Sequence, residues 1–564
     1  MDRKPHFLCE ECSQPTDVPK LYLGIDFHLL HSNHVPSEFE VLQTSKLLRE
    51  ETWELDRYEG KCSESEMPEA GKQILDIRIA HLRSITSVQR RVPVELWEKI
   101  FAIACLWKAG YFLEMTTTHH GSHTMMFPIL LTHVCSRWRN IATGCPRLWA
   151  SISIDLAERY SNNTMKLVET FLANSAACPL DLRILASFNH TPDEYDRGMW
   201  KFLTDHFSRS KRLSFNFYFN DTNPLTSFRD QDISFNDLSS FRSFISPDDN
   251  PFWKALRQAP NLTSVHVRHA RMCKPSSFPY PQLTTLIIES VVDTDVERLL
   301  QVLEDSINLR CLTLKYFTST GRTHGLTSRR VEMPFLRTLA ICQEENSCLT
   351  PMDDPSLDVL FSSLAMPALS TFKLSCISDF PVARHRSHHW PSSLLTMLRS
   401  SSTTLRDISL FLGPISTDSD DSLYHTWAPL SILLETTPHL THFNLEEGSG
   451  YLDEMTVYAA TGHLPSESLL SALTHERHNR KVLPELVSLT IRGIKLNSKI
   501  VSKVLGLAAL RSPSRLTNDG VVRPLKQLRI IPHVSPNFSL KPHMLATIET
   551  LEREGVKVVI EKEQ

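Results

Sequence analysis

The chain has 564 residues, and 60 Lys plus Arg against 64 Asp plus Glu leave a net charge of −4. That balance lacks the basic footprint of a nucleic-acid binder, and the length exceeds one ordinary domain. Glycine is scarce, 17 residues against 33 prolines, and neither G-x-x-x-x-G-K-[ST] nor G-x-G-x-x-G occurs, which disfavours phosphate-cradling enzymes.

Residues 1–36 have no clear hydrophobic period and read as a loosely structured leader. They lack the apolar core of a signal peptide, and the longest apolar run, Ile100 to Trp107, is far too short to span a bilayer. A chain with 12 scattered cysteines and 41% apolar residues needs no disulfide staples, so reduced thiols and an intracellular place, cytoplasm or nucleus, are expected. Cys9 and Cys12, followed by His28, His31 and His34, invite a zinc reading, but no finger-type core accompanies them and no metal is expected.

Residues 37–90 carry helical spacing, Phe39, Leu42, Leu47, Leu48 and Leu55, then Ile74, Ile77, Leu82 and Ile85 after a Gly60 to Gly71 break. This predicts a helical hairpin, without the sustained heptads of a coiled coil. In residues 91–150, Val92-Pro93-Val94-Glu95-Leu96 opens a helix whose face is expected to hold Leu96, Ile100, Phe101 and Ala104. Leu131, Val134, Cys135, Trp138 and Ile141 follow at helical spacing, and Gly144-Cys145-Pro146 stops them before Leu148-Trp149. So small a module cannot bury every apolar side chain it carries, which leaves a surface for a partner.

The ordered set Pro-x-Glu-Leu, Ile-Phe, Val134-Cys135-x-x-Trp138-Arg139 and Pro146-x-Leu148-Trp149 resembles the F-box, over about 60 of the 564 residues. One departure is Gly110 to Met126, read as an inserted floppy loop. Its His119, His120 and His123 are read as loop residues rather than as a metal site.

Residues 151–564 repeat a frame of proline, any residue, then Leu-x-x-apolar-x-apolar, six times, from Pro260, Pro281, Pro334, Pro367, Pro438 and Pro484. Leu309, Leu405 and Leu525 head three further copies, and successive leading leucines stand 21, 26, 27, 33, 36, 35, 46 and 39 residues apart. The last two apolar residues of each frame point to one side of a strand, and helical spacing recurs between frames, as in Val296, Leu299, Leu300 and Leu303. The expectation is α/β: a small helical module, then an irregular leucine-rich-repeat-like solenoid with parallel strands on one face and helices on the other. Degenerate strands are predicted at Ile152 to Ile154, Leu180 to Ile184, Leu213 to Phe217 and Val556 to Ile560. Asn220 to Asn250 and Thr417 to Ser422 do not fit the frame and read as surface loops or recognition inserts.

Eighteen strand positions point away from the expected core, and only Lys373, Asp407 and Arg529 among them are charged, unlike the basic row a phosphate reader needs. Residues proposed there to meet a target are His266, Thr285, Thr313, Thr338, Lys373, Asp407, His442, Asn444 and Arg529. His475 and His478 are three apart, not the four of a zinc-peptidase helix, and no G-x-S-x-G elbow occurs, so the chain is read as non-catalytic and without a cofactor.

The whole looks like the fungal F-box-like proteins with leucine-rich-repeat-like tails. The resemblance implies a substrate-recognition subunit of an SCF-type cullin-RING ubiquitin ligase. The Skp adaptor, and through it the cullin scaffold, would dock on Val92, Pro93, Leu96, Ile100, Val134, Trp138 and Trp149. A target protein would bind the array, with no nucleic acid and no membrane involved. The alternatives are an interaction scaffold with a divergent F-box and a repeat enzyme of unknown type.

Overall fold

The computed structural model describes residues 35–61, 69–109, 113–118, 121–156, 162–186, 197–217, 233–245, 247, 249–274, 276–318, 329–343, 355–376, 390–412, 430–447, 483–493, 498–513, 522–532 and 540–561. The chain divides into two compact units, Met1–Leu182 and Arg183–Gln564. Cys9, Cys12, His28, His31, His34, His119, His120, Thr417 to Ser422, His475 and His478 lie outside the described residues. Among those described, no helix is long and apolar enough to cross a membrane.

The first unit opens with α1 (Glu38–Lys61) and α2 (Glu69–Thr86). A reciprocal cap starts α1: the Ser37 hydroxyl accepts from the Glu40 amide at 3.3 Å and the Glu40 carboxylate accepts from the Ser37 amide at 2.6 Å. Leu82 and Ile85 pack against Leu47 and Leu48, and the half-buried Arg78 pairs with Glu51. The packing stripe of α2 is Leu75, Ile79, Leu82 and Ile85, whereas Ile74 and Ile77, expected to face inward, are exposed with Phe39 and Leu42. A 3.6-residue period allows both stripes on such a sequence, and the deeper one wins.

After α3 (Val88–Arg91) come α4 (Val94–Ala109), α5 (Phe127–Thr132), α6 (Ser136–Gly144) and a 3-10 turn over Pro146–Trp149. The expected floppy insertion is instead two strands, β1 (Leu113–Thr118) and β2 (Gly121–Met126), paired antiparallel. β1 also runs parallel to β3 (Ser151–Asp155), so Leu113 stands opposite Ile152. The β-branched run Thr116, Thr117 and Thr118 suits a strand better than a loop, and Leu113 is fully buried. α7 (Asn162–Asn174) completes the unit, and β4 (Leu180–Ala186) runs across the division of the chain.

The second unit is α/β. Its strands are β5 (Ser210–Phe217), β6 (Ser240–Ser243), β7 (Ser264–His269), β8 (Thr285–Val292), β9 (Cys311–Thr318), β11 (Thr338–Gln343), β13 (Thr371–Cys376), β14 (Asp407–Leu412), β15 (His442–Glu447), β16 (Ser488–Gly493), β17 (Gln527–Pro532) and β18 (Lys557–Ile560). They lie side by side in chain order, each parallel to the next. A separate parallel pair, β10 (Val331–Glu332) with β12 (Leu364–Ala365), lies apart from this sheet. Between strands come α8 (Arg197–Thr204), α9 (Pro251–Arg257), α10 (Val296–Asp305), α11 (Pro355–Ser363), α12 (Ser392–Ser400), α13 (Leu430–Glu435), α14 (Ser498–Leu510) and α15 (Pro542–Arg553).

The leucine frame explains this order. Leu262, Leu283, Leu309, Leu336, Leu369, Leu405, Leu440, Leu486 and Leu525 are all buried, as are the paired strand residues such as Leu286 with Ile288 and Leu489 with Ile491. Truncating such a leucine to alanine typically costs roughly 2–5 kcal/mol, so a run of them holds the register firmly. Just after each leading leucine, one carbonyl receives the amides of the next repeat: the Thr263 carbonyl accepts from Thr284 at 2.8 Å and Thr285 at 3.0 Å. The step repeats from Thr284 to Cys311 and from Arg406 to His442. Parallel strands need a crossover between them, which α10 supplies between β8 and β9, whereas 3-10 turns join β7 to β8.

β6 lies inside Asn220 to Asn250, the stretch read as outside the frame. Leu238-Ser-Ser-Phe241-Arg-Ser243 is a copy with serine at the last apolar position, and both Leu238 and Phe241 are fully buried. The buried Ser243 hydroxyl accepts from the Ile245 amide at 3.0 Å, so the polar residue is tolerated there.

Candidate functional site

Two surfaces stand out, one in each unit. In the first, the chain enters α4 through Val92 and Pro93. The Pro93 carbonyl accepts from the amides of Leu96 at 3.1 Å and Trp97 at 3.2 Å, so Pro93 caps the helix. The inward face of α4 is Trp97, Phe101 and Cys105, all buried. Trp97, Phe101 and Trp138 form an aromatic triangle with centroids 5.4, 5.0 and 4.9 Å apart. Burial pushes the Cys105 thiol up to about 11, as expected of a core thiol with no chemical role.

The opposite face of α4 carries Leu96, Ile100 and Ile103, which are 48%, 46% and 62% exposed. Pro93 and Val94 are exposed beside them in sequence, and Leu130 and Val134 are exposed at the end of α5. Ala104, expected on the same face as Phe101, is exposed, because Phe101 lies four residues beyond Trp97 and shares its inward stripe. Arg137 fixes how the chain enters α4. Its guanidinium donates to the Arg90 carbonyl and, at 2.8 Å, to the Val92 carbonyl.

Of the residues expected at the docking surface, Leu96, Ile100, Pro93 and Val134 are exposed, Val92 is half-buried, and Trp138 is half-buried within the aromatic triangle. Trp149 is a correction: it is 2% exposed, donates from Nε1 to the Ala142 carbonyl at 2.7 Å, and meets Phe171 edge-on at 4.9 Å. A wide ring that finds both a core cavity and a carbonyl partner is buried rather than presented.

In the second unit, the expected outward residues fall into rows across the sheet. Ser264, Thr285, Cys311, Thr338, Thr371, Asp407, His442, Ser488 and Gln527 stand opposite one another on successive strands. Two residues further along, Arg242, His266, Ile287, Thr313, Ala340, Lys373, Ser409, Asn444, Thr490 and Arg529 form the next row. His442 Nδ1 lies 2.8 Å from Asp407 Oδ1, and Arg529 donates to Glu561.

The row beyond that, which includes Glu289, Lys315, Glu446 and Arg492, was not anticipated, and Glu289 on it meets Arg242 and His266 of the row before. Glu289 Oε1 accepts from Arg242 Nη2 at 3.0 Å and Lys315 Nζ at 3.5 Å, and His266 Nε2 lies 2.8 Å from it. Arg242 and Arg268 both lie over the Phe244 ring, 5.0 and 5.8 Å from its centroid. Further on, Glu446 pairs with Arg492 at 3.0 Å. The signal was present in the sequence: Arg268, Glu289, Lys315, Glu446 and Arg492 continue the alternation past the last apolar residue of each frame, whereas Arg242 and His266 stand within it. Burial lowers the His266 imidazole below its ordinary value, against its contact with Glu289. Burial alone would raise the Glu289 carboxyl, but His266, Arg242 and Lys315 outweigh it and leave it lowered.

Among the described residues, no group of three or more His, Cys, Asp or Glu is placed to hold a metal ion. Compared with known proteins, the chain matches no family model and no curated protein.

Proposed function

We propose that this chain is the non-catalytic substrate-recognition subunit of an SCF-type cullin-RING ubiquitin ligase. The supporting observation is the two-faced helix α4: Trp97 and Phe101 close the core while Leu96 and Ile100 stand in water. Completing the burial of a half-exposed aliphatic side chain is worth on the order of 1 kcal/mol, so a Skp adaptor covering this ridge would gain several. Pro93 and Val134 extend the same docking surface, with Val92 and Trp138 supporting it.

In this reading the second unit is an irregular leucine-rich-repeat-like solenoid that holds the target on its polar strand face. Ubiquitin transfer then follows from effective concentration, with the chemistry on the other ligase subunits and no cofactor here. Such a protein works inside the cell, without nucleic acid or membrane.

The alternative is an interaction scaffold whose F-box-like module no longer meets the adaptor. The β1–β2 strand pair favours it, since it stands where the family has a short connection. Capture of the full chain on immobilised Skp adaptor separates the two. The ligase reading expects capture, and expects Leu96→Asp to abolish it in a chain with unchanged melting temperature. Equal capture of that folded variant would falsify docking through α4.

A further inference from the structure

We infer that the strand face from β6 to β13 binds an acidic peptide segment, rich in Asp and Glu, of the target protein. This inference rests on reading that face as the target-holding surface.

The chain as a whole is slightly acidic, with a net charge of −4, so a basic patch on it is a local departure. Among the described residues of the β6 to β9 cluster, Arg242 and Lys315 meet one carboxylate, Glu289, and Arg268 lies over the Phe244 ring. His266 adds no lasting charge, because burial holds it toward the neutral form. Lys373, two strands beyond Lys315, is exposed, and both lysines act electrostatically on Cys342 between them. Beyond β13 the balance changes, with Asp407 and Glu446 appearing among the cations. Among the described strand residues, the excess of cations over carboxylates therefore lies on β6 to β13.

Glu289 gathers Arg242 and Lys315 without cancelling them, since one negative charge faces two positive ones within 3.5 Å. The Arg242 and Arg268 guanidiniums both lie over the Phe244 ring, which orders them for recognition of planar carboxylates. Side chains spaced along a strand face, with several strands side by side, suit an extended peptide crossing the strands better than a single small anion. A carboxylate-rich segment matches a patch that already tolerates one carboxylate at its centre.

The test is fluorescence anisotropy of a labelled twelve-residue Asp/Glu/Ser peptide with the full chain at 50 and 150 mM salt. The Gln/Asn/Ser, Lys/Ser and phosphoserine versions serve as comparisons. The acidic peptide is expected to bind more weakly as salt rises, and Lys315→Glu with Lys373→Glu to reduce affinity at least about tenfold. Lys254→Glu, the same charge change on the exposed side of α9, is expected to alter it less than about twofold. No binding of the acidic peptide at 50 mM salt, or an equal loss with Lys254→Glu, overturns the proposal. So does binding of only a phosphoserine version, which would assign the site to a phosphate.

Preferential binding of the neutral or basic peptide, if lost in the Lys315/Lys373 variant, keeps the face as a recognition surface but overturns its anion preference. Adaptor capture by the same charge-reversed chain reports the ligase reading separately, because neither lysine is in the first unit.

Discussion

Trp97 and Trp138 lie ring against ring with 5.0 Å between centroids, and this contact decides which way α4 faces. With Trp97 turned inward, Leu96 and Ile100 are carried to the solvent side of the same helix. Core and surface of the module are thus set by adjacent residues. Trp97→Ala is expected to destabilise the first unit by roughly 3–5 kcal/mol, as for other buried aromatic truncations. Leu96→Ala, half-exposed, is expected to cost less than about 1 kcal/mol. Paired thermal melts check this, and equal losses would show that the two faces are not distinct.

Arg137 ties the chain before α4 to α6 through the Arg90 and Val92 carbonyls. Arg137→Ala leaves both carbonyls without that donor, a loss of about 1–3 kcal/mol. Hydrogen exchange should then speed up at residues 88–97 while α14 is unchanged. A uniform change across the chain would contradict the local role.

The strand frame was legible from sequence because each copy places three apolar residues at fixed spacing, and every leading leucine so identified is buried. β6 escaped notice because Ser243 replaces the last apolar residue, and β1 with β2 because a Thr- and His-rich run has no hydrophobic alternation. Trp149 is buried rather than presented, and sequence spacing does not distinguish an exposed ring from one drawn inward by the Ala142 carbonyl. Glu289 and Lys315 lie one alternation beyond the frame, where charge is free to vary because the apolar rule has ended.

His266 gives the second unit a pH signature. Burial places its folded-state pKa below the ordinary value of about 6.5, so the unfolded chain binds more protons between the two. That contribution to stability is complete above about pH 6.5 and falls as pH drops through the folded value. Glu289, also lowered, acts with the same sign further into acid. His206 and His269, lowered by burial as well, add to the effect. Urea midpoints should therefore decrease from pH 7.5 to 5.5, and by less in His266→Gln. An equal decrease in that variant would remove His266 from the explanation.

Arg511 is buried at the end of α14, and its Nη1 donates to the Leu483 carbonyl at 2.8 Å. Its own carbonyl accepts from the Leu525 amide at 3.0 Å, joining two successive frames. Burial pushes its guanidinium down to about 10, so it stays charged at neutral pH. Leu483 has a φ of 53°, a left-handed conformation that costs a leucine energy and requires such fixing. Arg511→Ala is expected to lower stability by about 1–3 kcal/mol for the carbonyl left bare. Urea unfolding checks it, and a change under about 0.5 kcal/mol would contradict the anchoring role.

Calorimetric titration of purified Skp adaptor into the full chain, beside Leu96→Asp and Ile100→Asp variants of unchanged melting temperature, tests the central claim most directly. The account predicts 1:1 binding by the unchanged chain, a negative heat-capacity change from apolar burial, and at least about a hundredfold weaker binding by each variant. No heat of binding by the unchanged chain, or the same affinity in all three proteins, would contradict it.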